Sequence, residues 1–465
     1  MLGDDVLYLS ATELGSRIRA RQVSPVELAE SYLARIDRVA PKLNAFVTVT
    51  RERALAQARE AEREIVAGTM RGPLHGVPYG VKDLFAIHGV KTTWGAKPLE
   101  SQSFDYDATL VRKLDEAGGV LLGTLAMIEL AGGLGYNVPW ASATGAARNP
   151  WDPGRWSCGS SSGSGAAVSA GLVGFALGSD TWGSIICPAS FCGITGVRPT
   201  FGRLSRHGAM ALSWTMDKLG PMARSAEDCE AVLGVLSGQD PLDGWSADEP
   251  PPRPLAVAEA RKLKVAAIRL DFAKAGEKEV EAAFDAAVEG LRAAGVAVED
   301  AKLPDLPFEA VAGLVIRAEA ASAFEDLYKD GRVRQMADPG ATTSFPSAKA
   351  ITAADYVKAL RIRTLCQRAM ADFFSTWDAV VAPAEAMTAP SAERGLEDVE
   401  WSDLVGGMST LCGLPAISVP CGFGRGGLPV GLTVVGGAFE EAKVLALAKL
   451  YQSVTDWHRK RPPLA

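Results

Sequence analysis

The sequence predicts an α/β protein built as one domain around a mixed β-sheet. Three observations carry that expectation. Short apolar or alternating runs recur at 43–50, 76–82, 120–122, 264–270, 296–301, 378–383, 415–420 and 429–435, each of a length suited to a strand. Longer segments with helical periodicity lie between them, and the alternation continues to the C-terminal region without an internal repeat. The chain also has 465 residues at 48% hydrophobic and 22% charged, an ordinary globular composition with ample material for a large core.

The elements follow in order. Ser10-x-x-Glu13 and Ser24-Pro-x-Glu27 are capping-box patterns, in which a hydroxyl and a carboxylate three residues on satisfy N–H groups at a helix start. Pro25 suits the first helical position, where no N–H is needed. Two helices are expected there, the second ending near Val39. Residues 43–50 read as a strand, 51–67 as a charged, alanine-rich helix, and Gly76–Lys82 as an apolar strand with one lysine. A helix over 107–117, a strand over 120–122 and loops over 132–149 and 149–156 come next. The small, apolar run Ala166–Leu177 reads as a helix packed closely on the sheet. Turns over 198–208 and a helix over 225–236 lead to 238–254, where Asp, Gly and Pro mark a surface connection. The remaining helices are expected at 277–294, about 308–330, 353–376 and 440–454.

Several function classes are excluded. A net charge of −7 with no run of five basic residues is wrong for a nucleic-acid surface, which needs clustered Lys and Arg. Four histidines in no paired spacing predict no metal site, and nothing in the chain calls for a cofactor. Gly422-x-Gly424-x-x-Gly427 matches the dinucleotide fingerprint, but a strand pattern follows where that fingerprint needs a helix, so a hairpin turn is expected. Seven cysteines without a Cys-x-x-Cys pair predict reduced thiols and a cytoplasmic protein. The start lacks a basic region followed by an apolar one, so no secretory signal is expected. No apolar segment reaches the roughly 18 residues of a membrane span.

One stretch concentrates chemistry: Trp156-Ser-Cys-Gly-Ser-Ser-Ser-Gly-Ser-Gly, followed by Gly178-Ser-Asp-Thr-Trp-Gly-Ser184. It puts hydroxyls beside flexible backbone twice. Gly159-x-Ser161-x-Gly163 fits a nucleophile elbow, yet that motif needs a strand directly before it and a histidine partner well placed after it. A serine can instead be activated by a lysine kept neutral, because burial strips the ammonium of its hydration and lowers its pKa. Lys82, at the end of a buried-looking strand, is the candidate; the alternative is a lysine snorkelling to the surface. The turn Thr181-Trp182-Gly183-Ser184 then offers consecutive N–H donors to a developing oxyanion.

Taken together these residues resemble the amidase signature family. Gly76-Val-Pro-x-x-Val-Lys82-Asp is similar to its lysine strand, Cys158-Gly-Ser160-Ser-Ser-Gly-Ser to its glycine-serine segment, and Gly178–Ala189 to its nucleophile turn. Ser160 and Ser184 are 24 residues apart, the family's own spacing. The likeness continues through Phe191–Arg203, Asp217-x-x-Gly-Pro-Met, Cys412–Pro420 and Gly427–Leu432, and is weakest over about 240–400.

The resemblance implies a large mixed sheet covered by helices on both faces, and a triad of Lys82, Ser160 in a cis peptide, and nucleophilic Ser184. It implies an oxyanion hole from the backbone of Thr181, Trp182, Gly183 and Ser184, with Ser161 and Asp180 in support. It divides the single domain 1–465 into a helical N-terminal region (1–70), a signature core (71–235), a variable region that shapes the substrate pocket (236–400) and a C-terminal return to the sheet (401–465). Trp182 stands where many members have glycine, and Ile186 where arginine is common, so both are pocket candidates and hint at aromatic or bulky substrates. The implied activity is C–N hydrolysis of a small amide or aryl carbamate by a free-standing monomer or homodimer, without a cofactor. The other reading is the amidase (glutaminase-type) subunit of a tRNA-dependent amidotransferase-like complex.

Overall fold

In the computed structural model, which describes residues 1–270, 272 and 276–464, eleven strands form one sheet. In chain order the strands are β1 (Phe46–Val49), β2 (Pro78–Lys82), β3 (Val120–Leu125), β4 (Arg148–Asn149), β5 (Asp152–Trp156), β6 (Phe175–Asp180), β7 (Thr195–Arg198), β8 (Lys218–Ala223), β9 (Lys264–Ala267), β10 (Ala297–Asp300), β11 (Ala379–Pro383), β12 (Ala416–Phe423) and β13 (Pro429–Gly436). Across the sheet they run β1-β3-β2-β6-β8-β7-β12-β13-β11-β9-β10, while β4 and β5 pair separately. The sheet is mixed: β2 lies parallel to β3 and β6, β9 parallel to β10 and β11, and the other pairs are antiparallel. Helices flank it, as the sequence predicts.

Burial explains the strand composition. Every residue of β2, β3, β6, β7, β8, β11 and β13 is buried. A strand covered on both faces reads as a continuous apolar run rather than an alternating one. The weakly patterned strands β7 and β8 carry no clear sequence signal for that reason.

The N-terminal helices form as their caps dictate. Ser10 and Glu13 make the reciprocal box at the start of Ala11–Arg19. Ser24 accepts the N–H of Glu27, but its hydroxyl donates to Glu62, so this second box is only half formed. That helix runs through Pro41 to Leu43, four residues past the expected end, because Leu43 continues its buried face into the core. The strand expected at 43–50 is correspondingly shorter. The glycine-rich segment 422–427 finishes β12 and makes the hairpin turn to β13, with Gly422 paired to Val430, so a hairpin stands there as the sequence predicts.

Two other expectations are corrected. Ala166–Leu177 is not one helix: Ser162–Ser169 is helical, the chain turns at Gly171 with φ +66°, and β6 begins at Phe175. Small apolar residues suit both a tightly docked helix and a central strand, so composition hides the boundary. Residues 152–156 are a strand rather than loop. Helices at Ile186–Cys192, Ala341–Lys349 and Gly406–Cys412 also lack a sequence signal of their own.

The helix Ser162–Ser169 sets the position of the serine-rich segment. A Cβ on Gly163 would collide with the backbone nitrogen of Ala126 and the backbone oxygen of Ala45. Only glycine lets this helix start dock on the chain leaving β3, where Gly163 N–H donates to Ala126 O at 2.7 Å. The glycine is there for close approach.

Candidate active site

Lys82 ends β2 and Ser179 lies on the adjacent parallel strand β6, so strand pairing places both at the same end of the sheet. Lys82 Nζ is 2.6 Å from Ser160 Oγ and 2.9 Å from Ser179 Oγ. The lysine is fully buried, which excludes snorkelling to the surface. Burial lowers its pKa from 10.5 to about 7, against the opposing pull of Asp180 and Asp217. Near neutral pH a large fraction of this amine is therefore uncharged, with a lone pair for a hydroxyl proton. Ser160 follows a cis Gly159–Ser160 peptide and its carbonyl accepts the N–H of Ile128 at 3.2 Å.

Ser184 sits in the turn after β6. Asp180 organises that turn: one carboxylate oxygen accepts Gly183 N–H at 2.9 Å, and the other accepts Ile185 N–H at 2.7 Å and Ile186 N–H at 3.4 Å. Burial by itself raises a carboxyl pKa, but Arg198, Lys218 and the Ile185 N–H outweigh it and hold Asp180 below its ordinary value. Arg198 Nη1 reaches Asp180 at 3.2 Å, with both groups fully buried.

Positive φ falls on Gly183 (+84°) and not on Trp182, so tryptophan is accommodated next to it without backbone strain. The carbonyl of Thr181 accepts from Thr410 and its hydroxyl donates to Asp217 at 2.6 Å, which fixes the other end of the turn. Among the described residues, the N–H groups of Thr181, Trp182 and Ser184 have no acceptor in the protein, whereas that of Gly183 is committed to Asp180. Three donors remain of the four expected.

The two serine segments are adjacent: Ser161 N–H donates to Ser184 O at 3.3 Å. Among the described residues, Ser184 Oγ makes no hydrogen bond, so the Lys82–Ser160 link is formed and the Ser160–Ser184 link is not closed by one. Ser161 Oγ donates to Ser179 O at 3.1 Å and accepts Ser179 N–H at 3.3 Å. A hydroxyl so occupied is a brace for β6 and has no histidine beside it. The elbow reading fails on that geometry.

A cavity of about 500 Å³ opens onto Ser184, with Tyr136, Trp182, Leu212 and Trp401 among its walls. Trp182 lines it. Ile186 does not: it is buried at the start of its helix, in the same apolar cluster as Met408, Leu411 and Cys412. The expectation of seven reduced thiols is also corrected, because Cys158 and Cys187 form a disulfide across the two serine segments, both lining this cavity. Residues 29 apart meet there only because β6 folds the chain back, a proximity invisible in the spacing. The bridge withdraws the cysteine argument for a reducing compartment. The other five cysteines are free and buried.

Sequence reasoning misses Ser179, Arg198, Asp217, Glu385 and Asp403. The first sits inside the serine-rich stretch itself, and Arg198 and Asp217 lie in segments that carry the resemblance. Nothing in the sequence marks the other two. Among the described residues no group of three or more His, Cys, Asp or Glu is placed to hold a metal ion, and no helix is long and apolar enough to cross a membrane.

The fold and this buried lysine–serine cluster define a hydrolase of the amidase class. The chain belongs to the amidase family, whose model matches residues 27–445, and it is accordingly an enzyme that hydrolyses C–N bonds of amides. It is 37% identical, over 99% of both chains, to a subunit of the glutamyl-tRNA(Gln) amidotransferase of Moorella thermoacetica. It is 38% identical to the corresponding polypeptide of an Azoarcus species, over 98% of this chain and all of the relative. Among solved structures it resembles the peptide amidase of Stenotrophomonas maltophilia (TM-score 0.85, 30% identity, 98% of each chain). It also resembles a bacterial aryl acylamidase (TM-score 0.84, 25% identity, 97% of each chain).

Proposed function

We propose that this amidase cleaves its substrate through an acyl-enzyme on Ser184, with Lys82 as base and Ser160 as proton relay. The observation that carries the reading is the 2.6 Å approach of the buried Lys82 amine to Ser160 beside the turn that presents Ser184. Neutral Lys82 accepts the Ser160 proton while its own N–H donates to Ser179. Ser160 takes the proton of Ser184 as that oxygen attacks the acyl carbon. The N–H groups of Thr181, Trp182 and Ser184 face the developing oxyanion. The proton returns through Ser160 to the departing nitrogen, and water then releases the acyl group. The test is turnover of a simple anilide by wild type and Ser184→Ala; undiminished turnover by the variant overturns the assignment.

Two roles are compatible with that chemistry. The sequence relatives favour the amidase component of a tRNA-dependent amidotransferase-like complex. They align through 236–400 as well, so that region does not set this chain apart from them. A specific observation supports a free-standing hydrolase: among the described residues, the lining of the Ser184 cavity holds no Lys, Arg or His. Free glutamine carries an α-carboxylate, for which such a lining offers no cationic partner. Size-exclusion of the purified chain, with turnover of glutamine, anilides and aryl carbamates, separates the two. Glutamine turnover alone supports the amidotransferase role; anilide or carbamate turnover by the isolated chain supports the hydrolase.

A further inference from the structure

Outside the lysine–serine cluster, the most unusual feature of the cavity is its charge. Its lining includes Glu309, Glu385 and Asp403 and, among the described residues, no basic side chain. Glu385 follows β11 and is only 6% exposed, yet its Oε2 is buried without a hydrogen-bond partner. Buried polar atoms in folded proteins are nearly always paired, because an unpaired one has given up water for nothing. Asp403 stands nearby, with one oxygen accepting Gly406 N–H at 2.6 Å and Arg198 facing it. Burial pushes the Glu385 carboxyl well up, Asp403 pushes it further, and the Ser402 N–H opposes both.

A carboxyl kept only for packing belongs behind the cavity wall with its oxygens satisfied, and an apolar residue of the same size fills that role at less cost. Glu385 instead lines a pocket of about 500 Å³ that also has Tyr136, Trp182, Trp401, Leu212 and Ile316 in its walls, and it keeps one carboxyl oxygen buried in the wall and unmatched. That combination fits a ligand with an apolar body and a nitrogen donor at one end. A carboxylate or phosphate finds no cationic partner among the described residues of this lining.

Resting on the hydrolase reading above, we propose that Glu385 is a specificity-determining residue that accepts an N–H from a cationic nitrogen of the substrate, so that the enzyme selects amides bearing a protonated primary amine. Ser184 does the chemistry and Glu385 chooses the molecule. Asp403 contributes a second carboxyl group on the same side, and the aromatic walls hold the apolar stem.

The test uses three anilides of equal chain length whose acyl ends carry a primary ammonium, a methyl group or a carboxylate. Wild type is expected to favour the ammonium substrate over the methyl one by about 10- to 100-fold in kcat/KM, chiefly through KM, the range of a charge-assisted hydrogen bond. The carboxylate substrate is expected to be the poorest. Glu385→Gln and Glu385→Leu are expected to reduce the ammonium-to-methyl ratio to within a few-fold of unity. A wild-type ratio near one, or a preference for the carboxylate, overturns the inference even if neither variant folds. So does an unchanged ratio in a folded variant. Ser184→Ala run on the same panel keeps the questions apart: lost turnover with an unaltered Glu385 ratio leaves the hydrolase reading standing and removes only this one.

Discussion

Lys82 Nζ lies 2.6 Å from Ser160 Oγ although 78 residues separate them in the chain. The contact is made by a lysine with no exposed surface. It gives that lysine a reason to be buried, and makes its protonation the variable on which the site turns.

The first prediction concerns pH. Activity needs the neutral amine, so kcat/KM should rise with pH and level off above an apparent pKa of about 7. A profile flat from pH 5 to 9 would show that Lys82 is not the base.

The same shift has a stability consequence. Between about pH 7 and the unfolded value near 10.5, the unfolded chain binds a proton at this lysine that the folded chain does not. Burying Lys82 therefore costs most below about pH 7, and the cost fades as pH rises through that window. Lys82→Met should abolish turnover and yet raise the melting temperature at pH 7. The gain expected is about 1–3 kcal/mol, reduced from the full burial cost because Ser160 and Ser179 lose a partner. Chemical denaturation at pH 7 and pH 10 measures it, and the gain should shrink at the higher pH.

Ser184→Ala should lower kcat by at least about 10⁴-fold with little change in stability, as loss of a nucleophile does in serine hydrolases. Ser161→Ala should behave in the opposite way. Its hydroxyl bonds both N–H and C=O of Ser179, so the loss expected is about 1–2 kcal/mol of stability with the smaller kinetic effect. Parallel kinetics and melts of the two variants decide the order.

Asp180→Asn removes the charge that faces buried Arg198 and weakens the acceptor for Gly183 and Ile185. Leaving one partner of a buried pair unmatched costs about 3–5 kcal/mol. Gly183→Ala isolates backbone strain, since a Cβ there meets nothing within 4 Å while φ is +84°. It should cost about 1–2 kcal/mol and displace Ser184. Urea titration reads both stabilities.

Reduction of the Cys158–Cys187 bridge releases a loop of 29 residues, worth roughly 3–4 kcal/mol on the chain-entropy account. A dithiol should lower the melting temperature of wild type and leave that of Cys158→Ser unchanged. Equal melts with and without reductant would count against the bridge.

The legible parts of this protein share a physical cause. The cap at Ser10–Glu13, the hairpin at Gly422–Gly427 and the charged helix after Thr50 are local events, satisfied by residues within a few positions of one another. The segments of Lys82, Ser160 and Ser184 are readable through their resemblance to a family, and each is constrained locally: Gly163 permits a close approach and Gly183 a tight turn before Ser184. The boundaries within Ser162–Asp180 are not readable, because helix and strand use the same small residues when both are covered.

What the sequence determines alone, then, is which residues are candidates to carry chemistry and which short segments hold them. The tertiary structure decided what those residues feel. Only β2 beside β6 puts Lys82 between Ser160 and Ser179, only burial moves its pKa to about 7, and only the return of 385–403 brings Glu385 and Asp403 into the lining of the Ser184 cavity. Desolvation and charge proximity depend on neighbours far along the chain, and no local pattern of residues records them.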